Sequence, residues 1–183
     1  MATRHLTIVI YGGEIVIAQY GHFDGYPSGA GTKLLKILHR EDSKIIPSRL
    51  HYCKVMEDGE YRRFFKNHAL DEEALEAAHP HFWWYDGADL LEMLLDRPHE
   101  VEILLNAEFA NDSLQCEWVY VIDYDLQTFE VYKGWNKTPL EPSERFYNNG
   151  YTDGKYYPVR LMETFSLEEL PSVEVFEAIR WQG

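Results

Sequence analysis

Residues 118–123, Trp118-Val119-Tyr120-Val121-Ile122-Asp123, are apolar on both of the faces that an extended chain presents. A strand with one wet face alternates polar and apolar residues. A strand that does not alternate must be covered above and below, so this run predicts the centre of a sheet. Asp125-Leu126-Gln127 leaves room only for a short connection, so strands 115–124 and 128–133 are expected to pair antiparallel.

The chain opens on a second hairpin. Leu6 to Tyr11 and Glu14 to Tyr20 are β-branched or apolar runs on either side of Gly12-Gly13, the pair that a tight hairpin turn requires. Val101 to Leu105 and Val159 to Phe165 are further strand candidates. Residues 5–20 are expected in one sheet with strands 101–107, 115–124 and 128–133.

Helices are expected at Thr32 to Arg40, where Leu34, Leu35, Ile37 and Leu38 form an apolar stripe, and at Ala88 to Leu95, where Leu90/Leu94 and Leu91/Leu95 are spaced i, i+4. Ser28 or Thr32 could cap the first of these. A further helix opens on Asp71-Glu72-Glu73, runs through Ala74 to Ala78 and stops at Pro80. Ser166-Leu167-Glu168-Glu169 fits a capping box for a closing helix marked by Val175, Phe176 and Ile179. Hairpins dominate and βαβ alternation is absent. The expected fold is α+β, an antiparallel sheet built from the N-terminal hairpin and later strands and covered by helices, with residues 1–183 forming a single domain.

The formal net charge of -14, from 31 acidic against 17 basic residues, repels phosphate backbones and anionic bilayers, so neither nucleic acid nor membrane is an expected partner. No run approaches the ~18 apolar residues of a membrane span. Met1-Ala2-Thr3-Arg4-His5 carries no apolar stretch of signal-peptide length, so the cytoplasm is the expected compartment. Cys53 and Cys116 belong to no metal-binding spacing and are expected as free thiols. The eight histidines form no HExxH or comparable pattern, so no metal site is expected, and no cofactor.

Chemistry is expected first in the loop His22-Phe23-Asp24-Gly25-Tyr26-Pro27-Ser28-Gly29-Ala30-Gly31, which Gly and Pro keep out of regular structure. His22 and Asp24 are two residues apart, close enough for a carboxylate to orient an imidazole for proton transfer. Tyr26, Ser28, Gly29 and Gly31 could contact a ligand, and N–H groups at 29–31 could cradle an anion at a helix start. The spacing matches neither GxxxxGK[ST] nor GxGxxG. The plainer reading is a tight loop with Gly supplying positive φ and Asp24 capping a turn.

Glu117 is the second candidate. It lies among Cys116, Trp118 and Val119, and a carboxylate in a central strand needs a partner or remains a protonatable acid. Asn111 and Asp112 form a polar turn beside it. The alternative is a strand end where Glu117 is still solvated, or a structural pair with Arg or Lys. Phe82-Trp83-Trp84-Tyr85 could stack on a ligand ring or anchor a loop.

Two segments resemble a family of uncharacterised proteins of similar length from fungi, bacteria and phages. One runs from Thr3-Arg4-His5-Leu6 through Ala18-Gln19-Tyr20-Gly21 to Asp24-Gly25-Tyr26-Pro27 and Gly29-Ala30-Gly31. The other joins Phe109-Ala110-Asn111-Asp112-Ser113-Leu114 to Cys116-Glu117-Trp118 and Tyr120-Val121-Ile122-Asp123, then Phe129-Glu130-Val131-Tyr132. That resemblance implies no activity. The opening strand-turn-strand and the 118–123 strand with its hairpin partner also resemble N-terminal-nucleophile amide hydrolases. Thr3 is the nearest nucleophile, but it follows Met1 and Ala2 and lacks the free α-amine that this chemistry uses as its base.

Two functions follow as expectations. One is a small-polar-ligand-binding domain, extending to hydrolysis of an amide or related bond, with a pocket between the 22–31 loop and the 111–118 segment. His22, Asp24 and Glu117 would then be its acid/base groups. The other is a non-catalytic interaction protein, an inhibitor or ligand-sequestering protein, that uses an acidic, aromatic surface. Homo-oligomerisation is compatible with both.

Overall fold

The computed structural model describes residues 3–55, 86–96, 100–103, 105–147 and 154–181. The helix expected at 71–78 and the aromatic run 82–85 lie outside the described residues.

The fold is α+β. Strands β1 (His5–Tyr11), β2 (Glu14–Gly21), β5 (Trp118–Asp123), β6 (Thr128–Lys133) and β7 (Arg160–Ser166) form one sheet in the order β2-β1-β5-β6-β7. Both expected hairpins form. β1 pairs antiparallel with β2, and β5 with β6. The Asp125 carboxylate of one hairpin turn accepts the Gly12 and Gly13 N–H groups of the other, at 2.9 and 2.7 Å, and so ties the two turns together. Gly12 and Gly13 take φ of 66° and 79°, where a Cβ would be strained.

The sheet is mixed rather than purely antiparallel, because β1 and β5 meet in parallel, His5 opposite Trp118 and Ile10 opposite Asp123. Every residue of β5 is buried, as its two-faced apolar pattern requires. The expectation that 101–107 joins this sheet is corrected. β4 (Val101–Ile103) pairs in parallel with β3 (Cys53–Val55) in a separate two-stranded sheet. At the β2 edge, Leu105 forms an isolated parallel bridge with Ala18, and the Asn106 N–H donates to the Ala18 carbonyl at 3.0 Å. A short apolar run states that it will be buried, not beside which strand.

Helices α1 (Thr32–Leu38), α3 (Gly87–Asp96) and α4 (Val173–Ala178) cover one face, where Val9, Ile17, Tyr120, Ile122 and Phe129 pack against Leu34, Leu91, Leu94 and Phe176. A short α2 (Ile46–Arg49) adds Ile46. The opposite face buries Leu6, Ile8, Ala18, Val119, Val121 and Tyr132 beneath a loop layer that includes Ala110, Phe146 and Val159. There the Arg145 guanidinium donates to Asp123 at 2.8 Å and to Glu130 at 2.9 and 3.0 Å, so both buried carboxylates are paired.

α4 is capped by Ser172, whose hydroxyl accepts the Val175 N–H, and not by Ser166 as the capping-box pattern suggested. Ser166 closes β7 instead. Cys53 and Cys116 are free thiols, and burial pushes the Cys53 pKa up to about 11. No helix among the described residues is long and apolar enough to cross a membrane.

Candidate functional site

The 22–31 loop leaves β2 and enters α1 through a five-residue π-helical turn, Pro27–Gly31. Its backbone is tied down at several points. Gly25 N–H donates to the Thr3 carbonyl at 3.0 Å, Ala30 N–H to the Asp24 carbonyl at 2.8 Å and Gly29 N–H to the Tyr26 carbonyl at 2.9 Å. The Tyr120 hydroxyl, buried in the central strand, donates to the Gly25 carbonyl at 2.8 Å. The N–H groups of Gly29 and Ala30 are therefore already engaged and do not form an open anion cradle.

The glycines are not there for positive φ. Asp24 itself takes φ of 51°, a conformation that Asp tolerates better than most residues. Gly29 is needed for close approach, since a Cβ there would overlap the Asp24 carbonyl oxygen.

Asp24 and His22 do not pair. The Asp24 carboxylate accepts from the Tyr26 hydroxyl at 3.1 Å, whereas His22 Nδ1 lies 2.7 Å from the Tyr20 hydroxyl. His22, Asp24, Tyr26 and Ser28 are exposed, Gly29 is half-buried and Gly31 is buried.

Glu117 precedes β5 instead of lying within it. Its side chain is 22% exposed and has a partner: Oε1 accepts the Arg4 N–H at 3.2 Å and lies 3.7 Å from the Arg4 guanidinium. The backbones interlock as well, Glu117 N–H donating to the Arg4 carbonyl. Arg4 also donates to the Gln115 side chain at 2.7 Å. Asp112 accepts the Gln115 N–H on its carboxylate, and Asn111 ends the 3-10 turn Ala107–Asn111. Of the readings the sequence left open for Glu117, the structural pair with an arginine is the one the geometry shows, at a half-buried position just before β5.

Strand alternation sorts these residues. Tyr20 pairs with Leu6, so its ring stands on the loop-covered face, with Arg4 and Glu117 nearby. Burial raises the Tyr20 pKa and the neighbouring Arg4 charge opposes the shift. His22 and Glu117, 95 positions apart, therefore belong to one polar strip, His22–Tyr20–Arg4–Glu117. Asp24, Ser28, Gly29 and Gly31 do not join it. Beside the strip is an open groove of about 410 Å³ lined by Tyr20, Leu105, Asn106, Ala107, Glu108 and Phe109. The Tyr20 and Phe109 rings meet edge to face at 5.3 Å.

A second polar cluster lies under the helices. His5 and Thr7 alternate with Leu6 and Ile8 on β1 and point towards α1 and α3. Both are fully buried, and neither ring nitrogen of His5 nor the Thr7 hydroxyl has a hydrogen-bond partner among the described residues. Nearby, Asp86 caps α3. Its carboxylate accepts the Ala88 and Asp89 N–H groups while Asp89 accepts the Asp86 N–H, and Lys33 lies 3.3 Å away. Burial lowers the His5 pKa from the ordinary histidine range, with Asp86 pulling the other way. A signal for this cluster was present in the sequence: His5, Thr7 and Val9 share one face of a strand that must be covered.

No known protein family matches the chain, nor does any curated protein or solved structure.

Proposed function

We propose that the protein binds a small polar ligand, one bearing a ring, in the groove lined by Tyr20 and residues 105–109, next to the start of the 22–31 loop. The observation that carries this reading is the convergence on Tyr20. Its hydroxyl meets His22, its ring meets Phe109 at the groove wall, and Arg4 with Glu117 stands beside it. Such a site offers an aromatic wall for a ring and donors and acceptors of both charges at its rim. Hydrolysis of an amide or related bond would use His22 as the proton carrier, with water as the nucleophile. The cytosol is the compartment that goes with this reading.

Mass spectrometry of the denatured protein after native purification would identify a retained ligand. A ring-bearing polar compound lost from the Y20A variant supports the proposal. Retention by Y20A opposes it.

The second reading, a non-catalytic interaction protein, draws on Phe23 and Tyr26. Phe23 is 61% exposed and packs its ring edge to face with His22, at 4.7 Å between centroids. Exposed aromatics of this kind anchor protein interfaces. An F23A variant that keeps the small ligand but loses a protein partner would favour it.

A further inference from the structure

His5 lies at the mouth of the loop that carries His22. A Cβ on Gly21 would overlap the His5 ring, and one on Gly25 would lie 2.8 Å from its Cβ and Nδ1. Gly21 and Gly25 bracket His22, Phe23 and Asp24, so the imidazole is packed directly between the two ends of that segment. Gly25 is also held from two sides, by Thr3 through its N–H and by Tyr120 through its carbonyl.

A neutral imidazole fits this buried setting, with the Thr3 backbone carbonyl close by and favouring the charged form. A cation does not, because the glycine backbone packed against the ring leaves little room for water. The charged and titratable groups facing it among the described residues are Asp24 on the loop, Lys33 on α1, Asp86 at the start of α3, and Tyr120 on β5, whose ring stands edge on at 6.3 Å. Asp24 and Asp86 favour a protonated ring, and Lys33 opposes them. All three lie on the helix-covered side, away from Glu117.

We propose that His5 is a proton-operated latch. Neutral, it seats the 21–25 segment and holds His22 against Tyr20; protonated, it releases the segment and withdraws His22 from the groove. The loop movement stands on the packing of His5. Its consequence for binding rests on the ligand site proposed above.

The lowered pKa of the buried ring agrees with this direction. If release lets the ring titrate as it does in water, the opening equilibrium rises about fivefold over the first pH unit below ~6.5 and approaches tenfold per unit beyond that, until the closed form itself takes up the proton.

Amide exchange read by NMR on the ligand-free protein tests the latch, after correction for the intrinsic pH dependence of exchange. The Gly25 and Ala30 N–H groups report the loop, and the amides of β5 report global unfolding. The expected result is a roughly fivefold rise at Gly25 and Ala30 between pH 6.5 and 5.5, with β5 still protected. H22Q should keep that rise and H5Q should lose it. A flat loop response, an identical rise in H5Q, or loop and β5 opening together would each overturn the latch. Should H5Q fail to fold, the wild-type comparison of loop with β5 decides together with H22Q. Because no ligand is present, a groove that binds nothing leaves this result standing. A loop that opens on cue while the groove binds equally at both pH values removes the ligand reading and keeps the latch.

Discussion

The Tyr20 hydroxyl lies 2.7 Å from Nδ1 of His22, the residue after the end of β2. That contact ties an exposed imidazole to Tyr20, a residue that lines the groove. Tyr20→Phe removes it while keeping the wall. The pair is solvent-exposed, so stability should change by less than about 1 kcal/mol. The His22 ring resonances should shift and broaden, and groove binding should weaken. An unchanged His22 spectrum would show that the hydroxyl does not position the ring.

Glu117→Gln separates a structural ion pair from a buried acid. Glutamine keeps an acceptor for the Arg4 N–H and gives up only the charge. The pair is partly exposed, with side chains 31% and 22% accessible, so urea titration should show a loss below about 1 kcal/mol. A loss of ~3–5 kcal/mol would mean that Arg4 is left as an orphaned buried charge.

Gly87→Ala opposes two effects at the first position of α3. Alanine is the better helix former by about 1 kcal/mol. Its Cβ would overlap the Thr7 side chain, the Oγ1 atom of which would lie 2.5 Å away. Overpacking should win, and denaturant unfolding should show a net loss of about 1–3 kcal/mol. A stabilised variant would mean that α3 can shift off β1 at little cost.

Acid should destabilise the protein through His5. Its folded pKa is below the ordinary value, so between the two the unfolded chain binds more protons than the folded one. The associated stability is fully present above ~6.5 and is lost as pH falls towards the folded pKa, at up to about 1.4 kcal/mol per unit. Urea midpoints at pH 7.5, 6.5 and 5.5 measure this, and His5→Gln should flatten the lower half of the curve. A wild-type midpoint that holds steady from pH 6.5 to 5.5 would contradict it.

The hairpins and the central strand were legible because alternation, Gly12-Gly13 and a three-residue connection are local signals. The pairing of β1 with β5 was not, since it joins His5 to Trp118 across 113 positions and no local pattern encodes it. That same pairing brings Arg4 to Glu117, so the ion pair was hidden for the same reason. β4 was read as a strand, but a short apolar run does not specify its sheet. In the loop, His22 was singled out with the wrong neighbour. Asp24 is close in sequence, but its αL backbone turns the carboxylate towards Tyr26, while Tyr20 reaches His22 from the strand. His5 was passed over because a histidine beside an apolar run gives no sign that three glycines, at 21, 25 and 87, will close over it and Thr7.

The central claim, a ligand groove organised by Tyr20, is tested most directly by NMR shift mapping with a library of small polar aromatic fragments. The account predicts that binders perturb Tyr20, Phe109 and the His22 ring together, and that Tyr20→Ala abolishes these shifts while the β5 amides stay in place. Fragments that bind only elsewhere, such as the 720 Å³ cleft lined by Leu38, Tyr124 and Leu167, with Tyr20, Phe109 and His22 undisturbed, would contradict it.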